Sequence, residues 1–215
     1  MADADIPGDC AASAYQYVRE AVVSGRYKAG QRLLAQEIAR AVGVSRTPVR
    51  DALGRLCQDG FVEQDQAGGF SVRSLSVSDI EDLFAVRRVL EHEAAREALR
   101  RVDDEGLAGL QAMLEESERQ LQVGDAVAAI RLARRFHLAL AGHAGNALLL
   151  QMIESISDRI HMVGLSLIER YPQRTQQVVQ ENRSILRALQ ARDEVALRAA
   201  VDHHVQESRA LIFHR

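Results

Sequence analysis

The segment from Gly43 to Leu53, Gly-Val-Ser-Arg-Thr-Pro-Val-Arg-Asp-Ala-Leu, constrains the fold of this chain more than any other. Gly43 is suited to end one helix in a left-handed conformation, and Ser45 is a preferred residue for capping the next. Pro48 is tolerated inside the first turn, where its missing amide hydrogen removes no helical hydrogen bond. Two helices joined by a short glycine turn are typical of a helix-turn-helix.

The flanking sequence extends this motif. Apolar residues at helical spacing predict helices over about 12–24, 35–42 and 45–60. Residues 61–64 and 69–73 alternate weakly on either side of Ala67-Gly68-Gly69, which predicts a β-hairpin. Residues 1–75 are therefore predicted to form a winged helix-turn-helix domain of three helices and a hairpin.

Charge is distributed unevenly along the chain. The net charge is −3, but residues 24–56 carry seven basic and two acidic groups, a local excess of +5. A basic patch on an acidic chain is typical of a DNA-binding domain joined to a body with another role. An ordinary solvated basic helix is the alternative interpretation of Arg46 and Arg50 alone. The turn, the cap, the hairpin and the patch together favour DNA binding.

The second helix of a helix-turn-helix lies in the major groove, with its first residues at the base edges. Arg46 and Arg50 are four residues apart and share one helix face, and guanidinium groups bind guanine edges or phosphates. Ser45 and Thr47 can donate to phosphates near the helix N-terminus. The predicted wing tip contains two glycines that allow close approach to DNA, Gly68 and Gly69.

The rest of the chain is predicted to be entirely helical. Residues 76–215 are expected to form an all-α bundle of six helices, over about 78–102, 104–123, 125–142, 146–169, 174–191 and 193–213. The fold class is therefore mainly α, with β structure confined to the wing.

Four of these helices each place one polar residue on an apolar stripe: Arg87, His137, Asn182 and His204. Burial of such groups is costly unless they are paired or bound to a ligand. If the four converge, they line a small polar pocket, with Arg159 as a further lining residue. Each alone could be an ordinary hydrogen-bonded core residue, and Arg87 could pair with Glu91 one turn later.

Composition excludes several classes of protein. No apolar run approaches the roughly 18 residues of a membrane span, and residues 1–12 lack the pattern of a signal peptide. Cys10 and Cys57 are far apart and lack metal-site spacing, so free thiols of a cytoplasmic protein are expected. An enzyme that uses His137 and His204 as acid and base is disfavoured, because no nucleophile elbow, phosphate loop or carboxylate pair accompanies them.

The segments 32–39, 43–56 and 59–62 resemble the winged helix-turn-helix of the GntR family of bacterial transcription regulators. The resemblance implies that Arg46 and Arg50 contact operator DNA, supported by Ser45, Thr47 and the wing glycines. Several family members carry a DNA-contacting arginine at the position of Gln36.

The segments 86–91, 134–137, 144–146, 181–186 and 203–205 resemble the FCD effector domain of FadR-type members, and six helices favour the VanR-like subgroup. In many members this domain holds a divalent metal through one Asp and three His, and the metal helps to bind a small carboxylate. Here Ala133 and Asn182 stand at two ligand positions, which leaves His137 and His204 as candidates. Zinc usually has three or four protein ligands.

A pocket without a metal is therefore favoured over a zinc-type site, with Arg87, His137, Asn182 and His204 in direct contact with a carboxylate effector. The resemblance implies a ligand-responsive homodimer, most often a repressor, on a palindromic operator. The chain is not expected to be an enzyme or to bind a membrane. The alternative is a constitutive DNA-binding protein whose effector pocket has decayed.

Overall fold

The computed structural model describes residues 7–168, 171 and 173–213, and the side chains of residues 10–162, 171 and 173–210. Within these residues the chain forms nine helices and three short strands. It divides into two compact units, one up to Leu75 and one from Ser76.

The first unit contains a small antiparallel sheet and three helices. Its elements are α1 (Pro7–Val23), β1 (Arg32–Leu33), α2 (Ala35–Val42), α3 (Arg46–Gln58), β2 (Val62–Gln64) and β3 (Phe70–Val72). The strands lie in the order β1-β3-β2, and Phe70 pairs with Leu33 on one side and Gln64 on the other. The predicted winged helix-turn-helix is confirmed.

Three details of the prediction were wrong. Strand β1 was missed, because two residues are too few to show alternation. Helix α1 begins at Pro7 rather than near Ala12, and proline is favoured at a first helical position. Ser45 stands at the N-cap of α3 with an extended backbone, but its side chain makes no capping hydrogen bond.

The turn between α2 and α3 follows from Gly43. Its φ of 77° is left-handed, and its N–H donates to the carbonyl of Ala39. Beyond the turn, Val49, Leu53 and Leu56 are fully buried in α3, which packs against α1. The opposite face of α3 is thereby left outside the core of this unit.

The second unit consists of six helices in its described residues: α4 (Val77–Arg101), α5 (Asp104–Gln122), α6 (Ala126–Gly142), α7 (Ala147–Ile168), α8 (Gln173–Gln190) and α9 (Glu194–Phe213). Their bounds lie within one residue of the prediction, except that residue 169, the predicted end of α7, lies outside the described residues. Side chains that precede the helices accept backbone hydrogen bonds at the predicted breaks, namely Asp103, Asp125, Asn146 and Asp193.

The packing of this unit brings α4, α6, α8 and α9 together. Helix α4 packs against α6, α7 and α9, and α8 packs against α5, α6 and α9. Most of the core is apolar, but charged and polar side chains are buried within it. None of the described helices is long and apolar enough to span a bilayer.

Candidate functional site

A groove of about 670 Å³ on the first unit contains most of the predicted DNA-contacting residues. Gln36 of α2, Arg46, Thr47 and Arg50 of α3, and the wing glycines Gly68 and Gly69 all line it. Ser45 lines an adjacent concavity of about 500 Å³, together with Gln36 and Arg46. The seven residues thus lie on one continuous surface.

The wing tip is fixed beside the second arginine of α3. The Arg50 guanidinium lies 5.6 Å from the centroid of the Phe70 ring, a cation–π contact between α3 and β3. Asp65 holds the turn by accepting from the Gly69 N–H at 2.8 Å. A Cβ on Gly69 would lie 2.7 Å from both the Asp65 carboxylate and the Arg32 guanidinium, so a larger residue there would require these two exposed side chains to move.

The groove has an excess of positive charge. Arg32 and Arg40 line it as well as Arg46 and Arg50, against a single acidic residue, Glu37. Arg32 and Arg40 belong to the basic patch of residues 24–56, but they were not predicted as site residues. Clustered arginines in a groove at a helix N-terminus favour the phosphates of a nucleic acid.

In the second unit the predicted inward residues come together. Arg87 Nη2 of α4 donates to His204 Nε2 of α9 at 2.8 Å, and the His204 ring stacks on that of His137 of α6, with centroids 4.5 Å apart. The Asn182 amide of α8 lies beside His137 and interacts with it, but the distances and angles of a hydrogen bond are not met. All four helices therefore contribute to one buried polar cluster.

The cluster also contains three charged residues that were not predicted as site residues from the sequence. Glu91 Oε1 accepts from Arg87 Nε at 2.6 Å. Arg87 therefore forms the ion pair with Glu91, one turn later on α4, as well as the contact to His204. Glu181 Oε2 accepts from His204 Nδ1 at 2.8 Å and from Arg174 Nη2 at 2.8 Å. Glu91 was visible in the sequence at four-residue spacing, whereas Glu181 and Arg174 gave no periodic signal.

The protonation states follow from the surroundings. Burial is the largest single effect and would raise the pKa of Glu91, but Arg87, His137 and His204 together outweigh it. The pKa falls to about 2, so Glu91 is an anion. Burial lowers the pKa of His137 and lowers that of His204 well below its usual value, so both rings are neutral at pH 7. His204 thus donates through Nδ1 and accepts through Nε2.

Part of the cluster is left without partners. His137 Nε2 and both side-chain amide atoms of Asn182, Nδ2 and Oδ1, are buried and have no hydrogen-bond partner. His137 Nδ1 lies 3.5 Å from Glu91 Oε2, an orientation that makes Nε2 the lone-pair acceptor. A buried polar atom without a partner costs about 1–3 kcal/mol, so these atoms are candidates for ligand contact.

A divalent metal is the ligand that the resemblance implies for this place. Glu91, His137 and His204 have ligand atoms within 4.8 Å of one another, and a carboxylate with two imidazoles is a donor set that zinc accepts. However, Arg87 already donates to Glu91 Oε1 and to His204 Nε2, and Ala133 has no ligand atom. In this arrangement the residues do not fit a resident metal, because the guanidinium supplies the positive charge.

Arg159 is the remaining predicted lining residue. Its described hydrogen bonds go to Ser155, one turn earlier on α7, through the backbone carbonyl at 3.2 Å and the hydroxyl at 3.1 Å. A role for Arg159 in the pocket stays a prediction.

Comparison with known proteins matches each of the two units to a known domain family. Bacterial regulatory proteins of the gntR family match residues 10–72, and the FCD domain matches residues 82–207. The chain belongs to the GntR family. This GntR-family chain is accordingly a transcriptional regulator with a DNA-binding winged helix-turn-helix and an FCD domain, in a family of non-enzymatic proteins. The VanR-like subgroup stays a prediction.

Individual relatives are similar to this chain over much of its length. The uncharacterized HTH-type transcriptional regulator YdhC of Bacillus subtilis is 29% identical over 88% of this chain and 85% of its own. The Nta operon transcriptional regulator of Aminobacter aminovorans is 36% identical over 64% of this chain and 65% of its own. The solved structure of Escherichia coli McbR/YncC aligns with a TM-score of 0.85 and 26% identity, over 95% of this chain and 97% of that chain.

Proposed function

We propose that this GntR-family chain is a ligand-responsive regulator that binds a palindromic operator as a cytoplasmic homodimer. A small carboxylate in the FCD domain changes the affinity of the winged helix-turn-helix for DNA. One observation carries the ligand response: His137 Nε2 and both amide atoms of Asn182 are buried without partners in a cluster where the charged groups are paired.

The chemistry of the cluster favours a carboxylate that also bears a hydroxyl group. Arg87 uses Nε and Nη2 for Glu91 and His204, and among its described contacts Nη1 makes no hydrogen bond. Nη1 and Asn182 Nδ2 are donors suited to carboxylate oxygens, with charge-assisted bonds from the guanidinium. His137 Nε2 and Asn182 Oδ1 are acceptors suited to a hydroxyl hydrogen.

The position of α4 in the chain supports coupling to DNA binding. Helix α4 begins after only four residues beyond β3 of the wing, and it carries both Arg87 and Glu91. A ligand that binds one arrangement of this helix better than another shifts the population of that arrangement. Typical coupling free energies of about 1–3 kcal/mol correspond to roughly 5- to 150-fold changes in affinity.

Exposed apolar side chains support a homodimer. Helices α4 and α7 pack together through a cluster that includes Leu90 and Ile153. The same two helices carry four apolar side chains that remain exposed, Val86 (48%), Val89 (67%), Leu148 (65%) and Met152 (49%). Exposed apolar side chains on two helices that pack together are suited to form the patch of a two-fold interface. A dimer would place two recognition helices on the half-sites of a palindrome.

The test is a screen of small hydroxycarboxylates, each paired with its uncharged amide, against the full-length chain. We expect at least one carboxylate to raise the melting temperature and change DNA affinity, and its amide to do neither. Asn182→Leu should remove both responses. If no carboxylate changes DNA affinity while DNA binding is intact, the constitutive alternative is correct.

A further inference from the structure

Helix α2, which precedes the recognition helix α3, carries an arginine on the DNA-facing surface. Arg40 lies in the last turn of α2 and is exposed. It lines both concavities of the DNA-facing surface, the groove of about 670 Å³ that reaches the wing and the adjacent one of about 500 Å³ that reaches the α2–α3 turn. Gln36, one turn earlier on the same face, and Arg46 are the other residues common to both.

Arg40 is chemically free to bind an anion. Half of the exposed arginines described in the second unit pair with a carboxylate, as Arg88 does with Asp202. In the first unit Arg50 lies on Phe70 and Arg55 lies on Tyr15. Among the described residues, Arg40 makes no hydrogen bond, ion pair or ring contact, although Glu37 is only three residues away.

The position of Arg40 distinguishes it from an ordinary solvated surface arginine. The groove beside it carries three further arginines and one acidic residue, so the local potential attracts a polyanion. In a helix-turn-helix the first helix crosses the DNA backbone, while the second reads base edges. A side chain of α2 is therefore placed for the phosphate chain rather than for the bases.

We propose that Arg40 is a further DNA-binding residue, which contacts a backbone phosphate next to the site of the α3 arginines. This inference rests on the proposed function, because it requires that the surface binds DNA. Arg40 then contributes to the affinity for any DNA through a phosphate, whereas Arg46 and Arg50 contribute to sequence specificity through the bases.

The experiment measures the salt dependence of DNA binding by the full-length chain. The probe is a labelled mixed-sequence duplex of about 30 base pairs, because phosphate contacts do not depend on base sequence. Association constants are determined by fluorescence anisotropy over a series of KCl concentrations for the wild type, Arg40→Gln, Arg40→Lys and Lys28→Gln. Lys28 is the matched control, since it is an exposed cation of the same unit and does not line the groove.

Arg40→Gln should reduce the magnitude of the slope of log K against log salt by about 0.9 for each DNA-binding domain that is bound. This is the value of one phosphate contact. Arg40→Lys should keep the slope, because a point charge is enough for a phosphate. Lys28→Gln should behave as the wild type, and equal melting temperatures should show that each variant is folded.

An unchanged slope for Arg40→Gln, with the wild type bound to the duplex at low salt, would overturn the inference and leave the proposed function intact. A wild-type chain that does not bind the duplex at low salt would overturn the proposed function and the inference with it.

Discussion

The Nη2 atom of Arg87 lies 2.8 Å from Nε2 of His204, although 117 positions separate the two residues in the sequence. This contact joins α4, the first helix of the FCD domain, to α9, the last. On the α4 side Arg87 also binds Glu91, and on the α9 side His204 binds Glu181. A single guanidinium thus completes the buried network whose unpartnered atoms form the proposed effector site.

Removal of that guanidinium should destabilise the protein strongly. Arg87→Met leaves the Glu91 carboxylate buried without its cation, and the loss of one partner of a buried pair typically costs about 3–5 kcal/mol. Urea unfolding at pH 7 measures the free energy. The double variant Arg87→Met/Glu91→Leu should recover most of the loss, because it removes the stranded charge. A double variant no more stable than Arg87→Met would contradict the pairing.

Asn182→Leu should stabilise the protein. It replaces two unpartnered polar atoms by methyl groups of similar size, so we expect a gain of about 1–2 kcal/mol in the free energy of unfolding. Ser117 is the control, because its buried hydroxyl donates to the carbonyl of Ala129 at 3.0 Å. Ser117→Ala should cost stability. A marked loss of stability in Asn182→Leu would show that the amide has a structural partner.

The sequence predicted the helices well because their stripes, glycine turns and capping residues are local signals. Gly43 and Asp103 mark breaks that depend on no distant residue. The network around Glu181 and Arg174 could not be predicted in this way. Charged residues are usually exposed, and their burial depends on how α8 packs against α9, which no local pattern records. Asn182 and His204 were recognisable only because each interrupts an apolar stripe.

Acid should destabilise the FCD domain through His161, which is buried in α7. Burial, and then the nearby Arg134, lower the pKa of His161 to about 4. The unfolded chain takes up this proton below about pH 6.5, and the folded chain does so only near pH 4. Stability therefore falls as the pH falls through this window, by up to about 3 kcal/mol from this group.

The comparison that isolates this effect is between the wild type and His161→Gln, unfolded in urea at several pH values from 7 to about 4. The wild type should lose more stability than the variant over this range. Parallel curves would mean that His161 is protonated equally easily in both states.

A charge on the exposed patch of α4 and α7 should separate the dimer. Met152→Glu places a carboxylate at the proposed interface, where it would be buried without a partner. Sedimentation velocity should show the wild type as a dimer and Met152→Glu as a folded monomer. Val195→Glu is the control, because Val195 is 82% exposed in the first turn of α9 and is not one of the proposed interface residues. Equal dimerisation of all three proteins would contradict this interface.

The central claim is that Arg46 and Arg50 direct a two-fold symmetric protein to a specific operator. The most direct measurement is selection of duplexes from a random library by the full-length chain, followed by sequencing. We predict enrichment of a palindrome whose half-sites lie about one helical turn, ~10 base pairs, or a multiple of it apart. The double variant Arg46→Ala/Arg50→Ala should enrich no sequence. Enrichment of no motif by the wild type, or of the same motif by the double variant, would contradict the account.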